Sequence, residues 1–129
     1  MRGNASPILN RIGQVFIPVN DMPRAVAWYS RLFGLEPGET SHENRIYDVP
    51  MAGETRLVLD AHKPVTSHSV QPLCMFPTDD MAAALAHLRE IGAEITGGPQ
   101  DIGSLVIATF RDPDGNPLMV YQPTEGTNA

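Results

Sequence analysis

Hydrophobic and polar residues alternate over the segment 12–19 and then change to a helical spacing. Val15, Ile17 and Val19 fall on one side of the alternating run, and the residues between them fall on the other. From Ala25 onward, apolar residues recur at intervals of three and four positions, which is typical of an amphipathic helix. The pattern therefore predicts a strand followed directly by a helix.

The residues at both ends of this helix are suited to capping it. Asp21 stands just before Pro23, where a carboxylate can accept hydrogen bonds from free backbone amides and proline is tolerated. Gly34 follows the last apolar pair, at a position where helices commonly end in a left-handed conformation. We expect the helix to begin after Asp21 and to end at Gly34.

The strand-and-helix unit is repeated later in the chain. Asp80 is the equivalent of Asp21, and Leu73 lies at the same offset from Gln14. Gly92 follows the second helix as Gly34 follows the first. Internal duplication is therefore the primary inference, and it predicts two similar modules within one domain. We take the domain as 1–129, with module one at about 11–61, a linker at 62–71 and module two at about 72–122.

The rest of each module predicts short strands joined by hairpins. In module one, the alternating segments 45–49 and 56–60 are separated by a break at Gly53. In module two, the tight turn D-P-D-G-N at 112–116 separates two β-rich segments. We expect 93–103, which contains Gly-Gly-Pro, to be a connecting loop.

Composition narrows the class of protein. The chain of 129 residues carries a net charge of −6 and 42% hydrophobic residues, which argues for a globular domain and against a nucleic-acid partner. No apolar run approaches the roughly 20 residues of a membrane helix, so we expect a cytoplasmic protein without a membrane partner. The single cysteine, Cys74, excludes an intramolecular disulfide and is expected to be a small buried hydrophobe.

The duplicated unit resembles the vicinal oxygen chelate superfamily of glyoxalases, bleomycin resistance proteins and extradiol dioxygenases. The resemblance is carried by the helix from Asp21 to Leu35, with its Trp-Tyr pair and Leu-Gly-Leu ending, and by F-x-D-P-D-G-N at 110–116. It implies an α+β fold of two tandem βαβββ modules that form a glyoxalase-like open barrel with a concave pocket. It also implies a homodimer.

The resemblance further implies where a divalent metal would be held in the metal-dependent members. They use one His, Gln or Glu side chain from each of four strands, and the equivalent positions here are Gln14, Val58, Leu73 and Met119. Only Gln14 survives as a ligand, because valine and leucine have no donor atom and a thioether is too soft for such metals. We therefore expect no metal site and no cofactor, with a divalent metal as the alternative.

Alternation along the strands collects a set of residues on the face away from the helices. This candidate ligand-binding face contains Gln14, Phe16, Val58, Asp60, Leu73, Met75, Met119 and Tyr121. A mostly apolar surface with a few polar groups suits a small-molecule site. The same residues are equally compatible with closing the barrel or burying a dimer interface.

Two classes of function follow. The first is a small-molecule-binding protein without a metal, holding a mostly apolar or aromatic ligand and acting in resistance or sequestration. The alternative is a metal-dependent lyase, isomerase or dioxygenase, with Asp60 or His62 as further ligands. A metal-free enzyme with Asp60, His62 or Tyr121 as acid or base is also compatible. We expect the other histidines, His42, His68 and His87, to lie at the surface.

Overall fold

The computed structural model describes residues 6–67 and 70–124, so His68 lies outside the described part of the chain. The elements follow in the order β1 (Gln14–Pro18), α1 (Met22–Phe33), β2 (Ile46–Val49), β3 (Arg56–Asp60), β4 (Met75–Pro77), α2 (Met81–Glu90), β5 (Glu94–Asp101), β6 (Leu105–Arg111) and β7 (Pro117–Pro123). This order confirms the predicted α+β class. Within these described residues, neither helix is long and apolar enough to cross a membrane.

Both helices begin and end as their sequences predict. The Asp21 carboxylate accepts a hydrogen bond from the backbone N–H of Arg24 at 3.1 Å, and the Asp80 carboxylate accepts one from Ala83 at 3.0 Å. Gly34 ends α1 in the left-handed conformation, with φ of 68°. Local capping chemistry therefore fixes the helix positions in both modules.

The strands form two open sheets that repeat the same arrangement. The first sheet has the order β1-β3-β2 and the second has the order β4-β7-β6-β5. In each sheet, the opening strand of the module pairs in parallel with its last strand. The fold is therefore the predicted pair of tandem modules, and the sheets do not close into a complete barrel.

Module one has one strand fewer than the implied βαβββ order. The segment 36–45 contributes only an isolated bridge between Ser41 and Ile46. Three consecutive residues, 42–44, have positive φ angles of 53°, 60° and 67°, which no extended strand can accommodate. Module one is thus βαββ in the described residues, while module two has all three strands after its helix.

The expectation of a loop at 93–103 is wrong, because most of this segment forms β5. It pairs with β6 in antiparallel fashion, with register shifts on either side of Gly97. β5 is an edge strand, where proline and bulges are tolerated. At Gly98, a Cβ atom would lie 2.5 Å from the carbonyl oxygen of Ile107, so the close approach of β5 to β6 requires glycine.

The modules share one hydrophobic core between the helices and the covered faces of the sheets. Trp28 of α1 is buried against Phe110 of β6, with ring centroids 6.3 Å apart. This contact joins module one to module two. The aromatic residues of α1 therefore pack in the core, as their spacing predicts.

The 112–116 turn also joins the modules through buried polar groups. The Tyr29 hydroxyl donates to the Asp112 carboxylate at 2.6 Å, and the Asn116 side-chain amide donates to the carbonyl of Pro18 at 2.7 Å. The Asp114 carboxylate accepts from the backbone N–H of Asn20 at 3.0 Å. A motif that reads locally as a tight turn is therefore also an attachment between the two modules.

Candidate functional site

The first sheet presents the predicted residues on its face away from α1. Phe16 lies opposite Val58 and Pro18 lies opposite Asp60 in the β1–β3 register. Phe16 is 55% exposed, which is unusual for a large aromatic side chain. Val58 is only 2% exposed, flanked by Phe16 on β1 and by Asp48 on β2. The aromatic ring, rather than the valine, is the accessible apolar group here.

The second sheet presents its own part of the predicted set. Met75 lies opposite Met119, and Pro77 lies opposite Tyr121, in the β4–β7 register. Met75 is 40% exposed, whereas Met119 and Tyr121 are half-buried. Leu73 lies before β4 and packs, half-buried, against the hydrophobic core. We call the faces of the two sheets that point away from the helices the open faces.

A cavity of about 250 Å³ lies on the open face of the first sheet. It brings together the predicted residues Phe16, Asp60 and His62, and adds Pro18 and Lys63. Sequence reasoning missed the last two. Alternation places Pro18 on the same side as Phe16, which was a usable signal, but nothing in the linker marks Lys63. Each lining residue belongs to module one or the start of the linker, so Met75, Met119 and Tyr121 do not line this cavity.

Asp60 and His62 form a hydrogen-bonded pair at the edge of this cavity. The Asp60 carboxylate accepts from the backbone N–H of His62 at 2.9 Å, and its same oxygen lies 2.6 Å from Nδ1 of the imidazole. The pKa of Asp60 is lowered mainly by that backbone hydrogen bond, with partial burial acting in the opposite direction. The pair thus offers a carboxylate and an oriented imidazole to a ligand.

The four positions that the resemblance assigns to metal ligands do not form a suitable donor set. Gln14 lies opposite Arg56, and Val58 is covered by its neighbours. Met119 offers a thioether beside Met75. Within residues 6–67 and 70–124, no group of three or more His, Cys, Asp or Glu side chains could hold a metal ion. A hard divalent cation therefore does not fit the side chains at these positions.

Two other candidate groups are placed away from the open faces. Burial raises the pKa of the Cys74 thiol to about 11, so the thiolate nucleophile is disfavoured at neutral pH. His87 is half-buried, and its Nε2 lies 3.0 Å and 3.1 Å from the carbonyl oxygens of Arg31 and Leu32. His87 is therefore only partly exposed, because the end of α1 packs beside it. No local pattern indicates such a long-range contact.

Comparison of the sequence with known proteins points to one family. Residues 11–120 match the sequence profile of the Glyoxalase/Bleomycin resistance protein/Dioxygenase superfamily. No curated protein matches the chain by sequence.

Solved structures share the whole fold. TnmS3, an antibiotic binding protein from Streptomyces sp. CB03234, is 27% identical, with a TM-score of 0.72 over 90% of this chain and 98% of that chain. A glyoxalase/bleomycin resistance protein from Catenulispora acidiphila is 23% identical, with a TM-score of 0.66 over 86% and 96% of the two chains. Protein ATC0852 from Agrobacterium tumefaciens is 19% identical, with a TM-score of 0.75 over 90% and 99%. The last two show likeness of fold alone.

Proposed function

The chain belongs to the glyoxalase/bleomycin resistance protein/dioxygenase superfamily, and from this premise we propose that it binds a small, mostly apolar or aromatic molecule without a metal ion. The observation that carries the proposal is the open face of the first sheet. There, the exposed ring of Phe16 lies beside the Asp60–His62 pair in one cavity. An apolar surface with a few orienting polar groups is the usual composition of a small-molecule site.

Similarity to TnmS3 supports the same proposal. That antibiotic binding protein matches nearly the full length of this chain at 27% identity. A protein that binds a small molecule tightly lowers the free concentration of that molecule. We assign this chain a role of the same kind, sequestration of a planar hydrophobic compound.

The proposal includes a homodimer. The cavity of about 250 Å³ is smaller than the roughly 300–1,000 Å³ of typical ligand sites. We therefore propose that a further protein surface encloses the ligand from the other side. The open face of the second sheet, with Met75 40% exposed and Met119 and Tyr121 nearby, provides a surface of matching chemistry. A second copy that brings this face against Phe16 would complete the site. Two methionines would let that wall adapt to the shape of the ligand.

We propose binding without a metal because of the side chains at the four positions where the superfamily holds one. Gln14 is the one oxygen donor among the four superfamily positions, and Arg56 lies opposite it across the strands. The acid-base pair Asp60 and His62 then orients the ligand by hydrogen bonds. No metal-dependent step is needed for binding and sequestration.

The experiment is a ligand screen on untagged protein purified without chelator. Planar hydrophobic compounds should bind. Phe16→Ala should raise their dissociation constant about tenfold or more, because it removes the exposed ring. Ile102→Ala is the matched control, since Ile102 is 51% exposed in the β5–β6 turn, away from the cavity. Equal affinities for the two variants would contradict the proposed site.

Metal content and mass are measured on the same preparation. Elemental analysis should find little metal, also after incubation with zinc, nickel, manganese or iron, and chelator should leave binding unchanged. Sedimentation should give the mass of a dimer. Stoichiometric metal held by the open-face residues, together with an enzymatic activity that chelator abolishes, would instead favour a metal-dependent lyase, isomerase or dioxygenase.

A further inference from the structure

A larger cavity lies on the opposite, helix-covered side of the second sheet. It has a volume of about 310 Å³ and is bounded by the end of α1, the outer turns of α2 and the strands β4, β6 and β7. Its walls are mostly apolar and include Leu32, Phe33, Phe76, Leu88, Phe110 and Val120. It shares no lining residue with the cavity at Phe16.

We propose that this inter-helix cavity is a second binding site, for a small planar aromatic molecule that carries one hydrogen-bond donor. Three aromatic rings shape it. Phe33 and Phe76 meet edge to face, with centroids 5.1 Å apart, and Phe110 lies at the base with 1% exposure. Edge-to-face and offset contacts with such rings favour a flat aromatic ligand over an aliphatic one.

His87 supplies the polar group that sets the chemistry of the ligand. Its Nε2 lies within hydrogen-bond distance of two carbonyl oxygens at the end of α1, and a carbonyl only accepts. Nε2 therefore donates to these carbonyls, and in the corresponding neutral tautomer Nδ1 is an acceptor. Across residues 6–67 and 70–124, no hydrogen bond to this Nδ1 is found. Because His87 lines the cavity, a hydroxyl or ring N–H of a ligand bound there can donate to it.

The size of the cavity limits the ligand to about two fused rings. Its volume is at the small end of the roughly 300–1,000 Å³ found for ligand sites. Water would fill this space with few hydrogen-bond partners, because most lining side chains are apolar. An aromatic molecule would displace that water favourably, and by contacting both modules it would stabilise their packing. The site is independent of the one proposed on the open face.

The test uses 2-naphthol as the probe, with naphthalene as the analogue that lacks the hydroxyl donor. Ala84→Phe places a ring in the cavity and should weaken 2-naphthol binding about tenfold or more. Ala82→Phe is the matched control, because Ala82 is exposed on the same helix and does not line the cavity. His87→Phe should weaken binding of 2-naphthol but not of naphthalene. Thermal unfolding of each variant reports whether it is folded.

A map of amide chemical shifts on the wild-type protein keeps the test decisive if a variant does not fold. Shifts caused by 2-naphthol should cluster on α2 and β4. Shifts confined to β1 and β3, or binding lost in Phe16→Ala but retained in Ala84→Phe, would place the probe on the open face and overturn the proposal. An absence of binding to the wild-type protein would overturn it as well.

Discussion

The two faces of each sheet differ in packing although they are built from alternating residues of the same strands. On the helix-covered face, Leu118 is fully buried and Phe110 nearly so. On the open face, Phe16 is 55% exposed and Met75 is 40% exposed. The period of two therefore places buried and exposed side chains on opposite faces of these strands. Substitutions of these exposed residues should therefore disturb the core less than substitutions on the covered face.

Two aspartates, Asp112 and Asp60, also differ in burial. Asp112 is buried and accepts hydrogen bonds from the Tyr29 hydroxyl, two donors of Asn116 and the backbone N–H of Asp114. Asp60 is partly exposed and has His62 as its partner. The first carboxylate holds two modules together, while the second remains accessible to a ligand. Buried polar groups with all their partners present specify a structure, and removing one partner is costly.

The largest expected difference is between two neighbouring residues of β7. Leu118→Ala should lower the free energy of unfolding by about 2–5 kcal/mol, because it leaves a void in a fully buried position. Met119→Ala, on the open face, should cost about 1 kcal/mol or less. Urea unfolding measures both. Similar losses would mean that the open face is packed as tightly as the core.

The next largest effect is expected from removing the buried carboxylate of Asp112. Asp112→Ala should destabilise the protein by about 3 kcal/mol, since Tyr29 and Asn116 keep buried donors without an acceptor. Asp48→Ala is the control, because it breaks an exposed ion pair with Arg56 and should cost no more than about 1 kcal/mol. Denaturant midpoints should separate the two variants clearly. A neutral effect of Asp112→Ala would show that the turn does not fasten the modules.

The smallest expected effect is a loss of stability at alkaline pH, caused by buried side chains that keep their protons in the folded state. Burial, and then the nearby Asp112 carboxylate, raise the pKa of Tyr29 well above its usual value. The folded state therefore keeps the phenol proton, whereas the unfolded chain loses it above about pH 10, so stability should fall as pH rises beyond that point. The Cys74 thiol, with its pKa raised to about 11, acts in the same direction from a lower pH.

Tyr29→Phe should make this alkaline decline shallower. The measurement is the free energy of unfolding in urea at a series of pH values from neutral to about 11. Cys74→Ala, measured in parallel, separates the thiol contribution from the phenol contribution. Parallel pH profiles for Tyr29→Phe and wild type would show that the phenol does not contribute.

Several features were predictable because they depend on residues close together in the chain. Asp21, Asp80 and Gly34 cap the helices as their positions predict. The strand β5 was missed because Gly97, Gly98 and Pro99 are local breakers, yet pairing with β6 along a sheet edge outweighs them. In the candidate site, Phe16 and Asp60 followed from alternation, but Lys63 carried no pattern at all.

The sequence by itself determined the duplicated modules, the helix ends, the alternation along the strands that it predicted and the family. These features depend on periodicity and on contacts within one turn or one strand. Only the tertiary structure decided that the 112–116 turn fastens the modules, that His87 meets the end of α1 and that a cavity lies between the helices. Each of these brings together residues that are far apart in the chain, so no local pattern specifies them.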